Sequence, residues 1–210
     1  MEIHKTNAKD GWIAALQYLL NHAEKIKDAH GRMSFDVRGL KIEVEEGFDE
    51  PAKELASFSH WIYPSLDELQ NAMLNTQDSQ EYDYSYSRAL FDFNGTNQID
   101  GYVIPKLKAS PATRQATCIL WDPAKTKNTV LPGLIAIDFK LRKNKLFLTA
   151  FVRSQDIFFG WPANTYQLFV LQNYVKNALN CELGSITTFS TSAHFFEDQL
   201  EHIKKILGHD

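Results

Sequence analysis

Residues 153–164 read RSQDIFFGWPAN, so a guanidinium, a hydroxyl, a carboxylate and a carboxamide fall close together among aromatic rings. Arg153 and Ser154 follow the apolar run LFLTAFV, where a planar fork of donors and a short hydroxyl suit a phosphate. The same spacing also lets Arg153 pair with Asp156 and close a sheet edge. Asn164 carries an amide able to read a carbonyl and an adjacent ring N–H of a pyrimidine, and it also stands where a helix N-cap would be. His194, in STSAHFFE, is either a donor to a ligand hydroxyl or a histidine satisfied at a strand end.

These residues need a scaffold, and the periodicity predicts one. Ile13, Leu16, Leu19, Leu20, Ala23 and Ile26 recur at helical spacing over residues 11–27. SFDVRGLKIEVEE alternates as a half-buried strand, with Gly39 interrupting the phase as a bulge would. Ser65 and Glu68 form a capping box that opens a second helix. Residues 75–87 lose their aliphatic content and gather tyrosines, which reads as a loop near a site, and residues 97–111 read as a third helix. ATCILWD and two strands between Leu131 and Val152 are apolar enough to be central in a sheet. The strongest helix starts at Pro162, with Leu168, Leu171, Val175 and Leu179 on one stripe. A strand rich in hydroxyl residues and a closing helix follow. Helices and strands mix without a strict alternation, so the class is α+β.

The 210 residues, 44% hydrophobic, are expected to form one domain over 1–210. A net charge of -4 argues against a nucleic-acid footprint, which needs an excess of Lys and Arg. Cys118 and Cys181 lie far apart and form no metal-ligand spacing, so neither a metal nor a disulfide is expected. No basic leader precedes an apolar run and no stretch reaches membrane length, so a cytoplasmic location is expected.

Taken as a set, RSxDxxxGxPxN at residues 153–164 and SAHxxE at 192–197 resemble the signature of the thymidylate synthase and deoxycytidylate hydroxymethylase family, which methylates or hydroxymethylates C5 of a pyrimidine nucleotide. YSYSRAL is similar to the family's Tyr-x-Tyr-Gly segment, NQID to the start of its third helix, and SPATRQATCILWDP to its arginine-bearing strand. GWPAN and SAHFFE resemble the short archaeal form, and the likeness runs from about residue 28 to the end.

The resemblance implies a thymidylate synthase-like fold, with a mixed or antiparallel sheet packed with helices and a homodimer formed through the sheet. It implies a pyrimidine nucleoside monophosphate held by Arg153 and Ser154 at the phosphate, Asn164 at a uracil edge and His194 at the sugar hydroxyl, with Phe196 where the family has Tyr. Tyr86 would also bind substrate. Asp156 would line the base and the folate side, and Gly160 and Trp161 would join it against a reduced folate such as methylene-tetrahydrofolate. A partner subunit normally sends two adjacent arginines to the phosphate; here Thr113-Arg114 retains one. The early arginine that closes over the phosphate has no clear match, and His30 or Arg32 stands nearest. The family's nucleophilic cysteine aligns with Gly133 in LPGLIAIDF. Neither Cys118 nor Cys181 is placed to substitute. Losing a covalent nucleophile commonly costs about 10⁴-fold or more. Two functions follow from that register: an enzyme with altered, cysteine-independent chemistry, one-carbon transfer included, or a catalytically inactive nucleotide-binding paralogue.

Overall fold

A computed structural model describes residues 1–28, 31–76, 85–125 and 131–208. The chain opens with β1 (Glu2–Asn7), α1 (Ala8–His22), β2 (Glu24–Lys27) and β3 (Met33–Glu46). Three helices follow: α2 (Glu50–Ala56), α3 (Leu66–Leu74) and α4 (Tyr86–Phe91). A π-helical turn (Ile99–Val103) runs into α5 (Ile104–Ala109). The second half comprises β4 (Thr117–Ile119), β5 (Leu134–Arg142), β6 (Lys145–Val152), β7 (Gln155–Asp156), α6 (Gly160–Leu179), β8 (Glu182–Phe196) and α7 (Leu200–Ile206).

The sheet runs β1-β3-β8-β6-β5-β4, with β2 paired to β3 and β7 to β8. β1–β3, β6–β8 and β7–β8 are parallel and the other ladders antiparallel, so the α+β class and mixed sheet stand. One face packs on helices through Leu40, Ile42 and Val44 of β3, Leu146, Leu148 and Ala150 of β6, and Ile186 of β8, all essentially inaccessible to solvent. The other face carries Phe151 stacked on Phe189 at 5.3 Å, and Phe151 remains 39% exposed.

Several elements depart from the periodicity. The first helix ends at His22, and Glu24–Lys27 turn into an edge strand against Met33–Asp36. Ile26 is therefore 42% exposed and not on a buried helical face. The β pairing satisfies backbone groups that a helix end would leave open. Asn7 caps α1 by accepting the Lys9 N–H at 2.7 Å, which starts the helix three residues before Gly11. Gly39 takes a φ of +67°, yet Arg38 and Leu40 stay in one register with Ser192 and Ser190, so the glycine bends the strand without a register shift. ATCILWD contributes only the three-residue edge strand β4, not a central one. β1 and α2 carry no strong sequence signal. β1 buries only Ile3 and Asn7 in part, as an edge strand does.

The capping box at Ser65 is present, with Ser65 N–H donating to Glu68 at 2.7 Å. α6 begins at Gly160 with Pro162 in its first turn, where the missing N–H costs nothing. Its Gln172 side chain reaches across the core to donate to the carbonyls of Leu146 and Gly184 at 2.8 and 3.1 Å.

Gly184 is packed so closely that a Cβ would meet the Leu146 carbonyl oxygen at 2.9 Å and Phe147 at 2.8 Å. Gly184→Ala should therefore destabilise the fold by about 1–3 kcal/mol, as overpacking does. Equilibrium urea unfolding checks this, and an unchanged midpoint would show that β6 and β8 have room to part.

Candidate active site

The cluster starts where β6 ends. The Arg153 N–H donates to the Gly133 carbonyl at 2.9 Å, and Thr191 Oγ1 donates to the Arg153 carbonyl at 2.7 Å, so this residue is tied to β5 and β8 at once. Its guanidinium does not pair with Asp156. Nε donates to the Pro132 carbonyl at 3.0 Å and Nη2 to that of Leu131 at 2.7 Å, which leaves further N–H donors for a ligand. The fork thus grips the segment that carries Gly133. Ser154 follows, half-buried.

β7 then pairs Gln155 with Ala193 and Asp156 with His194. The Ile157 N–H donates to the His194 carbonyl at 2.7 Å, and the buried Trp12 indole donates to the Ile157 carbonyl at 2.8 Å. Asp156 accepts the Phe159 N–H at 2.9 Å on one oxygen and the Gln199 amide at 3.0 Å on the other. Burial pushes its carboxyl above the usual 3.8, against the pull of those two donors. Burial likewise holds His194 below the usual 6.5, although the Asp156 charge opposes it. Burial thus favours the neutral form of each, while the charge of each favours the charged form of the other.

Phe159 is the N-cap of α6, so Asn164 is an interior residue of the helix and not its cap. Its amide donates to Gln155 Oε1 at 3.3 Å, a long bond that a better acceptor could replace. Trp161 lies at 0% exposure with its indole N–H on Thr188 Oγ1 at 2.9 Å, so it is a core residue and offers no face to a cofactor. Gly160 is a packing position, where a Cβ would sit 3.2 Å from the Gln155 amide.

Residues without a sequence signal complete the wall. Tyr63 donates to the Phe159 carbonyl at 3.0 Å, and burial raises its pKa so that the phenol stays protonated. Trp61 meets Phe158 at 5.3 Å and Phe159 at 6.1 Å. Gln199, 43 residues from Asp156, holds the carboxylate. Arg32 lies over the Phe196 ring at 3.5 Å, and Phe196 meets the His194 ring at 5.0 Å, so the early arginine candidate comes to the histidine's side of the cluster. His30 lies outside the described residues, as does much of the tyrosine-rich segment. Tyr86 is half-buried at the start of α4.

Arg114 does not join this group. The β5–β6 ladder runs from Leu134↔Val152 to Arg142↔Lys145, with Arg153 at one end. At the other, Arg142 binds the carbonyls of Pro111 and Thr113, just before Arg114. Eight residues of β6 at about 3.3 Å each put roughly 25 Å between the two ends. Within one chain Arg114 and Arg153 are separate.

Gly133 is close to the centre of the cluster, but a Cβ there would meet the Ser154 carbonyl oxygen at 2.8 Å. Both cysteines are buried. Burial pushes Cys118 up to about 12, with its thiol toward the Ile137 carbonyl, and burial also raises Cys181 at the far end of α6.

The sequence profile of the family described as thymidylate synthase matches residues 18–210. The chain belongs to the thymidylate synthase family. A relative from Methanosarcina mazei named "Putative thymidylate synthase" is 33% identical over 207 residues, spanning 98% of this chain and 94% of that one. A relative of the same name from Methanothermobacter marburgensis is 27% identical over 219 residues, spanning 98% and 97%. The crystal structure of thymidylate synthase from T4 phage has a similar fold, with a TM-score of 0.69 at 20% identity over 95% of this chain and 80% of that one. The thymidylate synthase-like fold and the short archaeal affinity expected from the motifs both stand. Among the described residues no helix is long and apolar enough to cross a membrane.

The depressed His194 pKa has a sign that can be measured. The unfolded chain takes up this proton first as pH falls through 6.5, so stability present above that value is lost on acidification. His194→Gln should therefore lose less thermal stability than the parent between about pH 7.5 and about pH 5.5. Equal losses would show that His194 is no better solvated unfolded than folded.

Proposed function

We propose that this chain binds a pyrimidine nucleoside monophosphate with a uracil-type base and acts on it as a transferase without a protein thiol. What supports this reading is the bond from the Arg153 N–H to the Gly133 carbonyl: it joins the residues that the resemblance takes as the phosphate arginine and the nucleophile position, and Gly133 has no side chain. Arg153 and Ser154 hold the phosphate, Asn164 reads the base edge by exchanging its long bond to Gln155, and His194 donates to a sugar hydroxyl from beside Asp156. Family membership and the similarly named relatives support a nucleotide site and a transferase role.

C5 of uracil is weakly nucleophilic until a nucleophile adds at C6. Gly133 supplies none, so the reaction needs a stronger electrophile or a different ring atom. A reduced folate of the methylene-tetrahydrofolate type would supply a one-carbon unit. The rings of Trp61, Tyr63 and Phe159 offer it a wall, whereas Asp156 already accepts the Phe159 N–H on one oxygen and the Gln199 amide on the other. The chain would work as one domain in a homodimer through the open face of the sheet, where Phe151 and Phe189 leave apolar area. The inactive, nucleotide-binding alternative draws on a different observation: both oxygens of Asp156 and part of the Arg153 fork are already engaged within the chain.

Calorimetry with uridine and deoxyuridine monophosphates tests the site. Arg153→Ala should weaken binding of every monophosphate about tenfold or more, the loss of a charge-assisted contact. Asn164→Asp should shift preference toward cytosine, whose ring presents an amino donor in place of a carbonyl. Parent-like binding by both variants would remove these residues from the pocket.

Gly133→Cys separates altered chemistry from recent inactivation. The collision with the Ser154 carbonyl predicts at most a weak covalent adduct with a 5-fluorodeoxyuridine monophosphate and methylene-tetrahydrofolate, read by mass spectrometry. Full synthase activity from this one change would sink the altered-chemistry reading.

A further inference from the structure

A carboxamide presents a carbonyl oxygen and an N–H side by side, and a half-turn about its last side-chain bond exchanges the two. Uracil offers a ring N–H beside a carbonyl, whereas cytosine offers a bare ring nitrogen beside an amino group. One orientation of an asparagine amide therefore matches uracil and the other matches cytosine. Asn164 alone selects neither base; whatever fixes its orientation does.

Gln155 is the neighbour that fixes it. This residue is 2% exposed on β7, and its amide is engaged at both ends. Nε2 donates to the Asp156 carbonyl at 3.3 Å, and Oε1 accepts the Asn164 amide at 3.3 Å. A backbone carbonyl can only accept, so it faces Nε2, and Oε1 is left facing Asn164. Oε1 too can only accept, which turns Asn164 Nδ2 toward it. Two donations in series, each possible in one direction only, thus carry the polarity of the Asp156 backbone to the Asn164 side chain. Turning Asn164 over would set Oδ1 against Oε1, two acceptors with no hydrogen between them, at a half-buried position where water compensates poorly. Among the described residues Asn164 Oδ1 accepts no hydrogen bond, so it remains for a ligand.

Both bonds are long, so the relay relies on close packing around Gln155. Its backbone pairs with the fully buried Ala193 of β8. Gly160 leaves room beside the amide, where a Cβ would stand 3.2 Å from Nε2.

We propose that Gln155 is the positioning residue that sets the base preference of the nucleotide site, by holding the Asn164 carboxamide in one of its two orientations. The inference rests on the site and the uracil-type base proposed above. It adds to them the residue that decides between uracil and cytosine, from the unspecified position of RSxD.

Calorimetry on the full chain with uridine and cytidine monophosphates, in whichever sugar series the parent binds, tests this. The parent should prefer the uracil nucleotide. Gln155→Met keeps the length of the side chain and removes the acceptor, and it should narrow that preference about tenfold. The ratio of monophosphate to nucleoside affinity, set at the Arg153 end, should stay as in the parent. In an Asn164→Asp background the same change should leave the base ratio where it was, because a carboxylate has two equivalent oxygens and no orientation to lose. Should Gln155→Met fail to fold, Gly160→Ala, which presses on the same amide, is read for the same narrowing. An unchanged base ratio in the variant, or an equal narrowing in the Asn164→Asp background, would overturn the positioning role. A parent that binds neither monophosphate, or binds the uracil and cytosine nucleotides alike, would instead defeat the base reading proposed above, and this inference with it.

Discussion

The arrangement depends on a short parallel join between β7 and β8. Two residues, Gln155 and Asp156, pair with Ala193 and His194, and the next N–H, from Ile157, closes onto the His194 carbonyl. Trp12, buried in α1, donates to the carbonyl of that same Ile157. The chain is therefore pinned on both sides immediately after Arg153 and immediately before α6. Everything polar in the cluster hangs from this join: the arginine at its upstream end, the asparagine on the helix it launches, and the histidine on the strand it pairs with. A loop of the same sequence without the join would leave these groups on segments free to drift apart.

The join also sets the electrostatics. By seating Asp156 and His194 as register partners away from bulk water, it makes burial the dominant influence on both, so each is pushed toward its neutral form. The carboxylate nevertheless accepts a hydrogen bond on each oxygen, from Phe159 and Gln199. A ligand here competes with the Gln199 amide for Asp156 and with the Gln155 side-chain oxygen for Asn164. Exchange of this kind favours ligands with matching donors over merely apolar ones.

Beside Arg153 the backbone has closed over Gly133. Arg153 clasps the carbonyls of Leu131 and Pro132, and the Ser154 carbonyl comes nearer to Gly133 than any side chain would allow. The local packing thus uses the space that a Cβ at residue 133 would take. A larger residue there would meet a backbone atom, which cannot turn aside as a flexible side chain can.

Local signals in the sequence were sufficient for much of this. The stripe on α6, the capping box at Ser65 and the alternation of β3 each show as a pattern within a short stretch of sequence, so they are legible in one dimension. The RSxDxxxGxPxN and SAHxxE spacings were legible for the same reason, and they sufficed to identify the family. The direction in which a side chain points was not. Trp161 faces the core because the sheet lies beneath that face of α6, and Gln199 meets Asp156 across 43 residues that carry no trace of the contact. Ile26 left the expected helix because a strand edge was available at β3, and Arg114 stands a hairpin's length from Arg153 because an antiparallel ladder separates what it connects. The sequence by itself determined the family, the main helices and the types of polar group at the site. Only the tertiary structure decided which of those groups meet, because pairing partners and burial are long-range choices made by the whole core.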